Sequence, residues 1–104
     1  MRQFDVFPNP IVQARRVLPF VIPLQSDRAT GGRERVVAPL ALSSAVPDRN
    51  DRLALNVDVD GRALVLLIPF MTNVRASDLP KPSTNLASER DRIIAALDYL
   101  FLGF

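Results

Sequence analysis

The chain has no cysteine and no histidine. Without cysteine there is no disulfide framework and no thiolate chemistry, as fits a reducing compartment. Without histidine the commonest general base, the commonest zinc ligand and the usual pH switch are all missing. No run approaches the ~18 uninterrupted apolar residues of a membrane span. The opening segment, MRQFDVFPNP, carries an acid and two prolines where a signal peptide needs an apolar stretch. A soluble, cytoplasmic protein is the expectation. Lysine is nearly absent too: twelve arginines stand against the single Lys81, and net charge is only +2. Most of these arginines have an acid within a few residues and no interleaved aromatics, the pattern of a solvated mixed surface rather than a nucleic-acid face.

What is present is apolar residue in quantity, 48% of a 104-residue chain. That suits a single domain, 1–104, with a core of its own. Alternation and turn residues predict a series of short strands. Phe4 to Phe7 reads as the first, closed by Pro8-Asn9-Pro10. Val17 to Leu24 reads as the second. Because Pro19 and Pro23 cannot donate to a ladder, it is placed at a sheet edge or in a bulge. Gln25 to Glu34, with Gly31-Gly32 and four charges, reads as the most mobile loop. Arg35 to Leu42 is a third strand running through Pro39, and Ser43 to Asp51 a turn cluster.

Leu53 to Phe70 carries the clearest hairpin signal. Leu53, Leu55, Val57 and Val59 alternate with Ala54, Asn56 and Asp58, so one face is apolar. Asp60-Gly61 supplies the tight-turn dipeptide in which both residues take positive φ. The return run, Ala63 to Phe70, does not alternate, and a strand apolar on both faces is central or covered by a second subunit. In so short a chain the second option is favoured, which predicts a homodimer. Met71 to Ala87 is a long connection, with Thr72 to Val74 a candidate strand end and a break at Leu79-Pro80-Lys81-Pro82-Ser83.

The closing residues predict one amphipathic helix, about 88–101. Ser88 is the expected N-cap, with Asp91 reaching back from the first turn. Gly103 stands where a helix ends on a left-handed residue. Ile93, Leu97, Leu100, Phe101 and Phe104 recur at spacings of three and four. Phe101 is assigned to the core, in line with Ile93 and Leu97, whereas Leu102 and Phe104 have little chain left to cover them. The sum is a mainly β fold, a small SH3-like antiparallel β-barrel or twisted sheet with one C-terminal α-helix.

Chemistry-bearing groupings are few. Asp58 and Asp60 flank a turn, where turn chemistry accounts for them better than a cation site. Gly31-Gly32 lacks the lysine-serine context of a phosphate loop. Ser43, Ser44 and Thr72 have no histidine to activate them. No cofactor or metal is implied, and function is expected to lie in binding rather than catalysis.

Across nearly the whole length the residues resemble the CcdB family, the toxin half of a bacterial toxin–antitoxin pair. Gln3-Phe4-Asp5-Val6-Phe7 is similar to the family's opening QFxVY. Phe20-Val21 and Gln25-Ser26-Asp27 follow, then Arg35-Val36-Val37-Ala38-Pro39-Leu40-Ala41, similar to R-x-V-x-P-L-A. Arg90-Asp91-Arg92-Ile93-Ile94-Ala95-Ala96-Leu97-Asp98, leading to Phe101-Leu102-Gly103-Phe104, resembles the family's helix closed by Phe-Trp-Gly-Ile. The resemblance implies a homodimer that poisons DNA gyrase by inserting between its A subunits, and neutralisation by a disordered segment of a CcdA-like antitoxin. It implies Phe101, Leu102, Gly103 and Phe104 as the gyrase-binding tip. Leu102 stands in place of Trp, and Asp98 in place of Asn. Arg28, Arg33 and Arg35 are candidates to meet acidic groups of the antitoxin. The alternatives are an endoribonuclease toxin on the related MazF-like barrel, and a degenerate CcdB-like binding module.

Overall fold

The computed structural model describes residues 1–29, 31–47 and 52–104. Among the described residues seven strands precede one α-helix: β1 (Asp5–Pro8), β2 (Phe20–Pro23), β3 (Glu34–Leu42), β4 (Ala54–Val59), β5 (Arg62–Leu67), β6 (Thr72–Arg75), β7 (Thr84–Asn85) and α1 (Arg90–Leu102). All strand pairs are antiparallel, in the order β4-β5-β3-β2-β1-β7, with β6 also on β3. The sheet curls into a half-barrel and α1 lies against it, the mainly β architecture with a C-terminal helix that the sequence predicts. Residues 48–51, part of the expected Ser43 to Asp51 turn cluster, lie outside the described residues, as does Thr30 of the Gln25 to Glu34 loop.

The centre of the sheet is β3, nine residues long. Leu42 donates its N–H to the Val17 carbonyl at 3.1 Å and Leu24 donates to Val36 at 2.9 Å, so the even-numbered residues of β3 address the β2 side. The odd-numbered ones address the other side, which two strands share. Glu34 to Val37 pair with β6, and Leu40 to Leu42 pair with β5. Pro39 falls between the two pairings, so its missing N–H interrupts no ladder bond there.

The same reasoning corrects the expectation for β2. It is not an edge strand: β1 flanks it on one side and β3 on the other. Its prolines are tolerated because they sit at its ends. Pro19 precedes the strand and accepts the Asn9 N–H at 3.0 Å, while Pro23 ends it and accepts the Phe4 N–H at 3.0 Å.

The β4–β5 hairpin forms in the predicted register, closed by Val59 opposite Arg62. Asp60 and Gly61 have φ of 52° and 85°, the primed turn that matches the twist of the strands. Asp58 completes it, its Oδ1 accepting the Gly61 N–H at 2.8 Å. A Cβ at Gly61 would meet no atom within 4 Å, so only backbone strain opposes a side chain there. Gly61→Ala is expected to cost about 1–2 kcal/mol, read as a lower urea midpoint at unchanged m-value.

One face of the sheet, carrying Ile22, Leu40, Leu55, Val57, Leu64 and Leu66, forms the main core with Phe4, Ile68, Leu86, Ile93 and Ala96. The opposite face of β5 is also buried, and here the structure departs from the sequence reading. Val65 and Leu67 pack with Ala41 and Ala54 beneath Leu18 and Val46 of the same chain. Connections rather than helices supply the second layer, so β5 itself does not require another subunit.

β7 is the strand the sequence reading missed. Two residues long, it pairs with β1 across about eighty positions and carries Asn85, which ties three segments together. The Asn85 side-chain amide donates to the Gln3 carbonyl at 3.0 Å and to Asp5 Oδ1 at 2.9 Å, and its Oδ1 accepts the Ala87 N–H at 2.6 Å. That last bond starts a short helical turn, Ala87–Glu89, leading straight into α1. Ser88 is therefore inside this turn and makes no cap; Glu89 occupies the N-cap position of α1 without a side-chain capping bond.

Candidate functional site

The end of α1 behaves differently from its beginning. Ile93 and Ala96 are buried against the Ile68–Phe70 turn and the sheet, and Leu97 and Leu100 are half-buried at the core margin. One turn later burial stops. Phe101 is 67% exposed, Leu102 61% and Phe104 80%. Phe101 is thus not the core residue its alignment with Ile93 and Leu97 predicts: in the last turn only Leu100 still reaches the core, and the side of the helix that carries Phe101 and Leu102 has passed beyond it. Gly103 adopts φ 80° and donates its N–H to the Tyr99 carbonyl at 3.0 Å, closing the helix on a left-handed residue as expected.

So the four site residues come together, Phe101, Leu102 and Phe104 as three apolar side chains around a glycine turn. Leaving this much apolar surface in water forgoes on the order of 1.5–3 kcal/mol per large side chain, and contiguous exposed apolar groups mark interaction sites. Asp98, one turn before Leu102, is exposed, and α1 has no basic residue in its last turn.

A second apolar feature was not legible in the sequence. Between the Pro10–Arg16 excursion and the β6 side of the sheet lies a groove of about 460 Å³, lined among others by Ile11, Val17, Leu18, Leu67, Phe70 and Val74. Ile11, Val17 and Phe70 stand exposed along it, Phe70 at 66%. Asn9 holds its rim in place. The buried Asn9 amide donates to the Leu18 carbonyl at 2.9 Å, its Oδ1 accepts the Ile11 N–H at 2.9 Å, and its backbone carbonyl accepts Arg15 Nε at 2.7 Å. Phe70 belongs to the turn on which α1 packs, so groove and helix meet at that turn.

The remaining candidates have structural roles. Asp58 serves the hairpin turn, and among the described residues no group of three or more potential ligands is placed to hold a metal ion. Ser43 Oγ donates to the Ala63 carbonyl at 3.2 Å. Arg35 is engaged by its own loop, donating to the Gly32 carbonyl at 2.6 Å and the Glu34 carbonyl at 2.9 Å. Arg33 instead borders a shallow recess with Arg75, Ala76 and Ser77. The Gln25 to Glu34 loop is anchored at its start: Gln25 Oε1 accepts the Val36 N–H at 2.7 Å, and Asp27 Oδ1 accepts the Gln3 N–H at 2.7 Å.

With the half-barrel, its terminal helix and the exposed tip in view, comparison with known families decides the assignment. The family model described as CcdB protein matches residues 3–103. The chain belongs to the CcdB family. It is thereby related to toxins of toxin–antitoxin systems, and its antiparallel half-barrel is in keeping with that membership. Among curated proteins, none matches the chain. No helix among the described residues is long and apolar enough to cross a membrane.

Proposed function

We propose that this CcdB-family chain is a toxin that acts by binding, two copies at a time, with Phe101, Leu102, Gly103 and Phe104 docking on the A subunit of DNA gyrase. In this reading the docked tip holds the complex of gyrase with cleaved DNA and prevents resealing, so growth stops. The observation that carries it is the exposure of Leu102 and Phe104 at the end of a helix whose earlier turns bury Ile93 and Ala96. The test is direct: purified gyrase with supercoiled plasmid accumulates linear, protein-linked DNA when the protein is added. Full viability of gyrase-sensitive cells producing the folded protein overturns the proposal.

Leu102 sets the strength of this contact. It has no aromatic face, so the cation–π contribution a tryptophan would offer to an arginine, about 0.5–2 kcal/mol, is unavailable. Affinity from this position then rests on apolar packing alone. Leu102→Trp is expected to tighten binding to the gyrase A subunit by about 2- to 30-fold in titration calorimetry.

The dimer is supported by the groove rather than by β5. Phe70, Ile11 and Val17 present an apolar face that a second copy would cover, and Phe70 stands at the turn carrying α1. Phe70→Glu is expected to give monomer mass in light scattering at micromolar concentration, with the far-ultraviolet spectrum unchanged. Neutralisation by a CcdA-like antitoxin is the counterpart. Arg28 and Arg33 are exposed and suited to acidic groups of a disordered partner, while Arg35 is occupied within its loop.

A further inference from the structure

The last turn of α1 has so little core beneath it that something other than burial must hold its direction. A helix end of this kind leaves carbonyls without partners and frays unless tied. The tie is at Tyr99. Its carbonyl accepts the Gly103 N–H that closes the helix, and over its half-buried ring stands the Arg52 guanidinium, 3.7 Å from the ring centroid. Arg52 lies two residues before β4, which the hairpin register holds along its whole length against β5. The guanidinium therefore links the last turn of α1 to the most regular part of the sheet. Its charge also suits that position, because a helix C-terminus favours cations and α1 supplies none of its own in that turn.

We propose that Arg52 is a positioning residue for the partner-binding tip. By clamping the Tyr99 ring it holds the turn from which Phe101, Leu102 and Phe104 project, without touching the partner itself. The proposal rests on the reading of the tip as partner-facing, and the experiment separates the two. Four full-length variants are compared with the parent: Arg52→Ala, Tyr99→Leu, Tyr99→Phe and the double Arg52→Ala/Tyr99→Leu. Because Arg52 has a further interaction besides the ring, Tyr99→Leu isolates the ring's share.

The readouts are amide hydrogen exchange at Gly103 and at the helix interior, and affinity for the isolated gyrase A subunit. Exchange at Gly103 is expected to rise about 2- to 5-fold in Arg52→Ala and in Tyr99→Leu, the range set by a cation–π contact whose guanidinium is exposed. The double variant should be no worse than either single one, Tyr99→Phe should match the parent, and exchange at Ala96 and Leu97 in the helix interior should stay put. Gyrase affinity should fall in step with the Gly103 exchange. Unchanged Gly103 exchange in Arg52→Ala, or additive effects in the double variant, overturns the clamp. So does undiminished gyrase affinity in Arg52→Ala when a chain lacking Gly103 and Phe104 has lost it. Gyrase binding that survives that truncation overturns the reading of the tip instead, whatever the exchange rates do.

Discussion

Removal of Gly103 and Phe104 is expected to abolish growth arrest while leaving the melting temperature within about 4 °C of the intact protein. Phe104 is 80% exposed, so its loss uncovers almost nothing that the fold had buried. The described bond that goes with it is the Gly103 N–H to the Tyr99 carbonyl, 3.0 Å long and at the surface. Such a bond contributes about 0.5–1.5 kcal/mol, and water takes over much of it at an exposed helix end. Binding stands to lose far more, because Phe104 and the turn that presents Leu102 disappear together. Growth curves after induction and differential scanning calorimetry on the same preparation check both halves. A fall of more than ~10 °C would make these residues part of the fold; undiminished toxicity would place the contact elsewhere.

Ile93→Ala, three turns back on the same helix, is expected to do the opposite kind of damage. Ile93 is fully buried, in one cluster with Ile68, Leu66 and Leu86. Truncating it leaves a cavity that the surrounding strands cannot close, since Ile68 is fixed by the turn between β5 and β6. Such changes cost about 2–5 kcal/mol, a large share of the roughly 5–15 kcal/mol that holds a domain of this size together. Urea denaturation followed by circular dichroism should show a midpoint lowered by more than 1 M, and toxicity lost through unfolding rather than through the tip. A cost below about 1 kcal/mol would mean that α1 is not docked on the sheet through Ile93. Taken together, the two changes divide α1 into an anchoring half and a presenting half.

That division was only partly legible beforehand. The spacing of Ile93, Leu97 and Phe101 identifies a common stripe, but a stripe does not say where the surface beneath it ends. Phe101 lies on the stripe and off the sheet. Likewise the two prolines of β2 state that donors are missing, not that the strand is at an edge; its place between β1 and β3 depends on pairings with distant segments. Asn85 shows the same limit. As a lone asparagine in a connection it carries no helix-start signal, yet β1 beside it turns its amide into the link between Gln3, Asp5 and the turn before α1.

By itself the sequence determined what short-range chemistry decides. Asp60-Gly61 makes a primed hairpin turn and Gly103 ends the helix, because each depends on φ at one or two residues. The lack of histidine and cysteine removed whole classes of catalysis before any fold was known. Only the tertiary structure decided what covers what. It put Leu18 and Val46 over the second face of β5, opened the groove beside Phe70, and left Phe101 in water with Leu102 and Phe104. Coverage depends on where segments tens of residues apart cross one another, and local spacing does not encode that.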